Sequence, residues 1–230
     1  MQPMTKTSSS QAPSRTQTVF IVEDHPSFRE GLVQILNQEQ DLTVCGEAGD
    51  ATEALRAIAR LRPDLMLVDI SLPGKSGLEL IKEVRVTDQK IKLLVVSMHD
   101  EALYAARVLR AGGDGYIMKQ EDPQEIIHAV RDVLDGHIYV SEEVMGSTPK
   151  ASINEPAKAQ TRPLDQLTDE ELEILEALGQ GNSNQEITRQ RRAPAGEVAA
   201  QCAKMKRKLN LKTTNALIRF AVCWVGTEVA

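Results

Sequence analysis

Three carboxylates, a hydroxyl and an ammonium stand where short apolar runs of this chain end. The runs read TVFIV, DLMLV, KLLVV and GYIM, and the polar residues at their ends are Glu23, Asp24, Asp69, Ser97 and Lys119. Such runs predict buried parallel strands, and ligands of parallel sheets bind beyond the carboxyl ends of the strands. We therefore expect the five side chains to meet in one crevice, where they would hold a divalent cation beside a phosphorylated aspartate.

Asp69 is the candidate nucleophile, because a carboxylate can attack a phosphoryl donor and form an acyl phosphate. Mg²⁺ is a hard ion that prefers oxygen ligands, and it would spread the negative charge of the transition state. Its expected ligands are Glu23, Asp24 and Asp69, with the backbone carbonyl of Ser71 as a further one. Taken alone, Glu23 and Asp24 also fit a solvated acidic turn that caps the next helix.

Lys119 and Ser97 would complete the site. The ammonium would hold one phosphoryl oxygen, and the hydroxyl would donate a hydrogen bond to another. The sequence PGKSG contains the Gly-Lys-Ser of a phosphate-binding P-loop, but that motif needs a glycine where Asp69 stands. We interpret PGKSG as a loop whose glycines serve turn geometry.

The 230 residues suit two small domains, and the charge is divided unevenly between them. Residues 18–143 carry 13 Lys and Arg against 23 Asp and Glu, a net charge of −10, whereas residues 187–219 carry 9 against one, a net charge of +8. An acidic half joined to a basic segment indicates two different partners, one of them polyanionic.

Residues 18–143 alternate strand and helix five times, which predicts a doubly wound, five-stranded parallel sheet of the α/β class. Residues 144–164 have no periodicity and contain three prolines, so we interpret them as a linker. Residues 1–17 are interpreted as a disordered tail. Residues 165–230 predict a small all-α domain of four short helices. Two of them are opened by capping boxes from Thr168 to Glu171 and from Ser183 to Glu186, and the third is expected to start near Pro194.

The blocks VEDH, LVDISLPGKSG, VVSMHD and AGGDGYIMK resemble, in order and spacing, the receiver domain of response regulators, whose fold is flavodoxin-like. The resemblance implies that Asp69 is the phosphoacceptor and that Glu23 and Asp24 share Mg²⁺ with it. It also implies that Ser97 is the switch hydroxyl, Tyr116 the aromatic switch and Lys119 the lysine of the pattern. By the same resemblance, phosphorylation would draw the loop after Ser97 inward and admit Tyr116 to the space it leaves.

HPSFREGL and the four C-terminal helices resemble the NarL/FixJ subfamily, whose output is a LuxR-type helix-turn-helix domain. This implies a two-component regulator of transcription rather than an enzyme, with a sensor histidine kinase and double-stranded DNA as partners. It further implies a homodimer after phosphorylation. Two alternatives remain: an output domain that binds a protein instead of DNA, and an aspartyl-nucleophile phosphatase, which would need a general acid where Ser71 stands.

The C-terminal resemblance weakens at the predicted recognition helix. Arg191, Pro194 and Glu197 stand where the pattern usually has leucine, serine and threonine, and the base-reading face would present alanines, which can contact only a thymine methyl group. We therefore expect phosphate-driven, weakly sequence-specific binding. The candidate DNA contacts are Ala199, Ala200, Ala203, Lys204, Arg207, Lys208 and Lys212.

Cys45, Cys202 and Cys223 have no CxxC spacing and are interpreted as free thiols in a reducing compartment, which favours the cytoplasm. No apolar run approaches the ~18 residues that a membrane span needs, so we expect no membrane partner.

Overall fold

The structure is a computed structural model that describes residues 15–141 and 163–227. Its N-terminal domain is a five-stranded sheet with helices on both faces. All neighbouring strands are parallel, in the order β2-β1-β3-β4-β5. The doubly wound sheet predicted from the sequence is thereby confirmed. Its elements are β1 (Gln17–Val22), α1 (Pro26–Asn37), β2 (Leu42–Ala48), α2 (Ala51–Leu61), β3 (Leu65–Val68), α3 (Gly77–Thr87), β4 (Lys92–Ser97), α4 (Glu101–Ala111), β5 (Gly115–Met118) and α5 (Pro123–Leu134).

The central strand β3 shows why the sheet needs both helical layers. All four of its residues are buried, and successive side chains point to opposite faces. Met66 and Val68 join the apolar core that α2, α3 and α4 cover, whereas Leu65 and Leu67 join the core under α1 and α5. Because β3 is buried on both faces, its polar flanking residues lie at its two ends, and Asp69 is the one at the carboxyl edge.

The C-terminal domain is all-helical, as predicted. A short 3₁₀ helix (Pro163–Gln166) leads into α6 (Asp169–Gly179), α7 (Asn184–Gln190), α8 (Glu197–Lys208) and α9 (Thr214–Thr227). Both predicted capping boxes are present. The side chains of Thr168 and Ser183 accept hydrogen bonds from the backbone amides of Glu171 and Glu186, and the side chains of these glutamates accept from the backbone amides of Thr168 and Ser183 in return. The helices enclose a core that includes Leu172, Leu175, Met205, Leu217 and Ala221.

Helix α8 begins three residues later than the sequence suggested. The sequence favoured a start near Pro194, but the first helical residue is Glu197. Gly196 has φ of +86°, a left-handed conformation that favours glycine, and it ends the turn before the helix. The Pro194–Gly196 stretch is therefore part of the turn between α7 and α8.

Most of the predicted tail lies outside the described residues, which include only its last three, 15–17. Most of the predicted linker lies outside them too, since only residues 163 and 164 of it are described. Within residues 15–141 and 163–227, no helix combines the length and the hydropathy needed to cross a membrane.

Candidate functional site

The four acidic and imidazole side chains at the carboxyl edge of β1 and β3 form one cluster. One ligand atom from each of Glu23, Asp24, His25 and Asp69 lies within 4.8 Å of the others. Glu23 and Asp69 are 1% and 2% exposed, whereas Asp24 is partly exposed and His25 is exposed, so the cluster extends from the interior to the surface. The structure thus brings together the three carboxylates that the sequence singled out, and it adds His25.

Lys119 stands at the end of β5 and bridges two of these carboxylates. Its Nζ lies 2.8 Å from Asp69 Oδ2 and 2.6 Å from Glu23 Oε2, and 4.9 Å from the centre of the Phe28 ring. Burial alone would lower the pKa of Lys119, but Asp69 and Glu23 outweigh it and raise that pKa above its usual value. The ammonium is therefore a fixed charge at the end of the strand.

Among the carboxylates of the cluster, Glu23 has a raised pKa. Burial and the nearby charge of Asp69 raise the pKa of its carboxyl, although hydrogen bonds from Lys119 and from the His25 backbone oppose this. One ammonium faces three carboxylates, so the cluster keeps an excess of negative charge that a divalent cation would neutralise.

The residues fit Mg²⁺ by an observation independent of charge. Oδ1 of Asp24 is buried and has no hydrogen-bond partner within residues 15–141 and 163–227, although His25 Nδ1 lies 2.8 Å away without hydrogen-bond geometry. A buried, unpaired carboxylate oxygen beside two further carboxylates is the donor set of a hard cation.

The backbone fixes Asp69 at this edge. Its amide donates to the carbonyl of Val22 at 2.9 Å, which extends the pairing of β1 and β3 by one residue. Helix α3 then begins directly against it, because a Cβ at Gly77 would lie 2.1 Å from the Asp69 carbonyl oxygen. Only glycine fits at position 77, which explains the second glycine of PGKSG.

Ser97, His99 and Tyr116 are linked to one another beside the acidic cluster. Ser97 is fully buried, and its Oγ accepts a long hydrogen bond of 3.4 Å from the His99 backbone amide. The Tyr116 hydroxyl donates to the His99 carbonyl at 2.6 Å. Tyr116 is fully buried here.

His99 was interpreted from the sequence as a polar loop residue, and the structure gives it a larger role. Its side chain is nearly buried, with Nε2 2.7 Å from Ser71 Oγ and Nδ1 2.5 Å from Oε2 of Glu176. Glu176 belongs to α6, so His99 joins the loop after β4 to the C-terminal domain. The sequence carries no signal for this contact, because the two residues lie 77 positions apart.

Helix α6 closes one side of the crevice over the acidic cluster. The crevice is lined by Asp24, Asp69 and Lys119 from the N-terminal domain and by residues of the C-terminal domain that include Glu173, Glu176 and Arg191. Ser71, whose backbone carbonyl is a candidate metal ligand, lines the same crevice.

A second contact holds the N-terminal end of α6. Arg107 donates to Asp169 Oδ1 at 2.9 Å and to the backbone carbonyls of Leu164 and Leu167, and Lys82 lies 2.9 Å from Asp169 Oδ2. Burial would raise the pKa of Asp169, but its bonds to Lys82 and Arg107 outweigh this and lower the pKa.

The outer face of α8 remains exposed despite these contacts. It presents most of the residues that the sequence marked for DNA contact, together with Lys212 after the helix: Ala199, Ala200, Ala203, Lys204, Arg207 and Lys212 are all exposed. The structure therefore offers a small apolar strip bordered by cations.

Lys208 and Arg191 differ from the other cations of this domain. Lys208 Nζ lies 2.5 Å from Oε2 of Glu171, a carboxylate only 1% exposed, and Arg191 pairs with the nearly buried Glu173. Both cations neutralise internal acids, so Lys208 is a weaker candidate for DNA contact than the sequence suggested, and the basic segment offers fewer free charges than its composition implies.

Comparison with known proteins matches both domains to family models. Residues 19–131 match the response regulator receiver domain, and residues 165–221 match the bacterial regulatory proteins of the luxR family. The chain is 31% identical to the oxygen regulatory protein NreC of Staphylococcus epidermidis over 89% of this chain and 96% of that protein. It is 32% identical to the nitrate/nitrite response regulator protein NarL of Escherichia coli K12 over 92% and 95% respectively.

This chain is a NarL/FixJ-family response regulator. The fold of the response regulator also resembles a solved structure of RcsB from Salmonella enterica serovar Typhimurium, with a TM-score of 0.63 and 22% identity over 90% of this chain and 98% of that one. The response regulator consists of a receiver domain and a LuxR-type DNA-binding domain, which favours DNA over a protein as the partner of the output domain.

Proposed function

We propose that Asp69 accepts a phosphoryl group in the presence of Mg²⁺ and that this modification controls DNA binding by the C-terminal domain. The observation that carries the proposal is the convergence of Asp69, Glu23, Asp24 and Lys119 at one edge of the sheet. Bound Mg²⁺ would neutralise charge on the transferred group. Glu23, Asp24 and Asp69, with the Ser71 carbonyl, would hold it.

Asp69, Lys119 and Ser97 would have different roles in the phosphoryl transfer. Asp69 supplies the attacking oxygen, and Lys119, already 2.8 Å away, would pair with a phosphoryl oxygen. Ser97, buried beside the cluster, would donate to another oxygen. Because the Ser97 Oγ is bonded to the His99 amide, a new bond from Ser97 would alter the loop that carries His99.

Labelling with acetyl phosphate tests the proposal. We expect Mg²⁺-dependent addition of one phosphoryl group to the peptide that contains Asp69, detected by mass spectrometry of the full-length protein. Asp69→Asn should abolish it, whereas Asp135→Asn, at an exposed position after α5, should label like the wild type. Labelling that persists in Asp69→Asn, or that needs no divalent cation, would contradict the proposed site.

For the output domain we propose that DNA is held mainly through its phosphates. Lys204, Arg207 and Lys212 are exposed around the alanine strip of α8, and the methyl groups of that strip offer no bidentate contact to a base. Binding should therefore fall steeply with salt and discriminate weakly between sequences. A fluorescence titration of the acetyl phosphate-treated protein on duplexes of different sequence, repeated across salt concentrations, measures both properties.

The remaining roles rest on the family. We propose that a sensor histidine kinase supplies the phosphoryl group and that the regulator acts without catalytic turnover on other substrates. The phosphorylated protein would pair as a homodimer, with the exposed Ile218 and Val222 of α9 as an apolar surface for it. Three free thiols, at Cys45, Cys202 and Cys223, support work in the cytoplasm. Sedimentation before and after acetyl phosphate treatment tests the dimer.

A further inference from the structure

The ring of His25 lies at the outer edge of the acidic cluster and makes no bond that holds α1. His25 occupies the N-cap position of that helix, but its side chain makes no capping hydrogen bond. The ring lines the crevice and is 70% exposed, with its Nδ1 atom beside the carboxylates of Glu23 and Asp24. Its position therefore serves the cluster rather than the helix.

The backbone of His25 is fixed by its neighbours in the turn from β1 into α1. Pro26 is the first residue of the helix, and a residue before proline is restricted to extended conformations, as His25 is with φ of −83° and ψ of 109°. The His25 amide donates to Glu23 Oε1 at 3.0 Å, and its carbonyl accepts from the Arg29 amide at 3.1 Å. The ring therefore starts from a fixed point beside Glu23 and Asp24.

The distances from Nδ1 to the two carboxylates match the spacing between ligands of one ion. Nδ1 lies 2.8 Å from Asp24 Oδ1 and 3.2 Å from Glu23 Oε1, and only the second contact has hydrogen-bond geometry. Neighbouring ligands of an octahedral ion with bonds of about 2.1 Å stand about 3.0 Å apart. Asp24 Oδ1 has no hydrogen-bond partner among the described residues, so this close approach of an oxygen and a nitrogen is that of two ligands rather than of a donor and an acceptor.

An imidazole nitrogen changes which ion the cluster favours. Mg²⁺ is a hard ion that takes oxygen ligands, so a nearby imidazole adds little to its binding. Divalent ions of the later first-row transition metals bind imidazole well and accept carboxylates at the same time. A cluster of three carboxylates and one imidazole is therefore a mixed donor set that discriminates between these two classes of ion.

From these contacts we propose that His25 is a further ligand of the cation, through Nδ1 and beside Glu23, Asp24 and Asp69, and that it gives the site a preference for divalent transition ions over Mg²⁺. The inference rests on the proposed function, since it concerns the ion of the same site. Binding of the ion can nevertheless be measured without a phosphoryl donor, so the two proposals are tested separately.

Calorimetric titration of the full-length protein, without a polyhistidine tag, with Ni²⁺ and with Mg²⁺ tests the inference. His25→Ala should lower the affinity for Ni²⁺ by about tenfold or more, because even the loss of a ligand's hydrogen-bond partner costs about 10–100-fold. The affinity for Mg²⁺ should change by about twofold or less, since Mg²⁺ prefers oxygen. His128→Ala, at an exposed position of α5, is the matched control and should bind both ions like the wild type.

Acylation of the wild type by diethyl pyrocarbonate tests the same bond without a substitution. The reagent attacks a ring nitrogen whose lone pair is free, and a neutral ring bound through Nδ1 carries its proton on Nε2 and has none. Peptide mapping by mass spectrometry should therefore show that Ni²⁺ protects His25 and that Mg²⁺ does not, while His128 reacts equally in both cases.

The outcomes separate this inference from the proposed function. An affinity for Ni²⁺ that stays constant or rises in His25→Ala, an equal loss for both ions, or a His25 ring that Ni²⁺ leaves reactive would overturn the inference alone. Protection of His25 by Ni²⁺ in a protein whose Asp69 takes no label from acetyl phosphate would support the nitrogen ligand and overturn the phosphoryl transfer.

Discussion

The Nζ atom of Lys119 lies 2.8 Å from Oδ2 of Asp69, so the last strand of the sheet supplies the counter-ion for the side chain that ends the central strand. The same ammonium also reaches Glu23, and both carboxylates are almost completely buried. Lys119 therefore neutralises two buried carboxylates at once.

Lys119→Ala should destabilise the receiver by about 3 kcal/mol at neutral pH, because it leaves two buried carboxylates without their ammonium. Mg²⁺ should recover part of this loss by neutralising the same carboxylates. Urea unfolding followed by circular dichroism, with and without Mg²⁺, measures both effects. Lys90→Ala, at an exposed position, is the matched control and should change little. A Lys119→Ala protein as stable as the control in metal-free buffer would contradict this account.

Arg191→Ala should destabilise the DNA-binding domain by about 3 kcal/mol, because it leaves the nearly buried Glu173 unpaired. The only tryptophan, Trp224, lies on α9 and reports unfolding of this domain by fluorescence in urea. Arg189→Ala, on the exposed side of α7, serves as the control.

The double variant Arg191→Ala/Glu173→Gln removes the unpaired charge and should regain part of the stability. No recovery in the double variant would show that Arg191 acts through packing rather than charge.

Asp169→Asn should lower the free energy of unfolding of the DNA-binding domain by about 2 kcal/mol at pH 7, the scale of charge-assisted hydrogen bonds. The pKa of Asp169 is lowered below its unfolded value of 3.8, since Lys82 and Arg107 outweigh its burial. Its contribution is therefore complete above that unfolded value and is lost as pH falls through the folded pKa.

The difference in stability between the wild type and Asp169→Asn should thus begin to shrink near pH 3.8 and continue to shrink as pH falls toward the folded pKa, in Trp224 fluorescence measured from pH 7 to pH 3. A gap that is constant over this range would exclude ionisation of Asp169 as its source.

Lys204→Ala and Arg207→Ala should each reduce the slope of log affinity against log salt concentration by about 1, since each removes a phosphate contact. Lys208→Ala should leave the slope nearly unchanged and instead destabilise the domain, because Glu171 loses its ammonium. Fluorescence titration on one duplex at several salt concentrations separates the two classes. A full slope loss for Lys208→Ala would reinstate it as a DNA contact.

Much of the receiver could be predicted because its buried strands are short apolar runs that the sequence shows directly. A strand buried on both faces must be apolar throughout, so the polar residue that follows it marks the sheet edge, as Asp69 does after β3. Capping is equally local: Thr168 and Ser183 lie three residues before their glutamate partners, and both caps formed. The start of α8 was predicted at Pro194, because proline suits the first turn of a helix. In the structure, the left-handed turn at Gly196 delays the helix to Glu197.

The sequence by itself determined the parallel sheet, the meeting of Glu23, Asp24, Asp69 and Lys119 at its edge, and the four-helix output domain, because short-range periodicity dictates which face of each element is buried. Only the tertiary structure decided that His99 meets Glu176, that Arg191 serves Glu173 and that Lys208 serves Glu171. Periodicity reports that a side chain is buried, whereas the partner of a buried charge depends on how separately formed helices pack against each other.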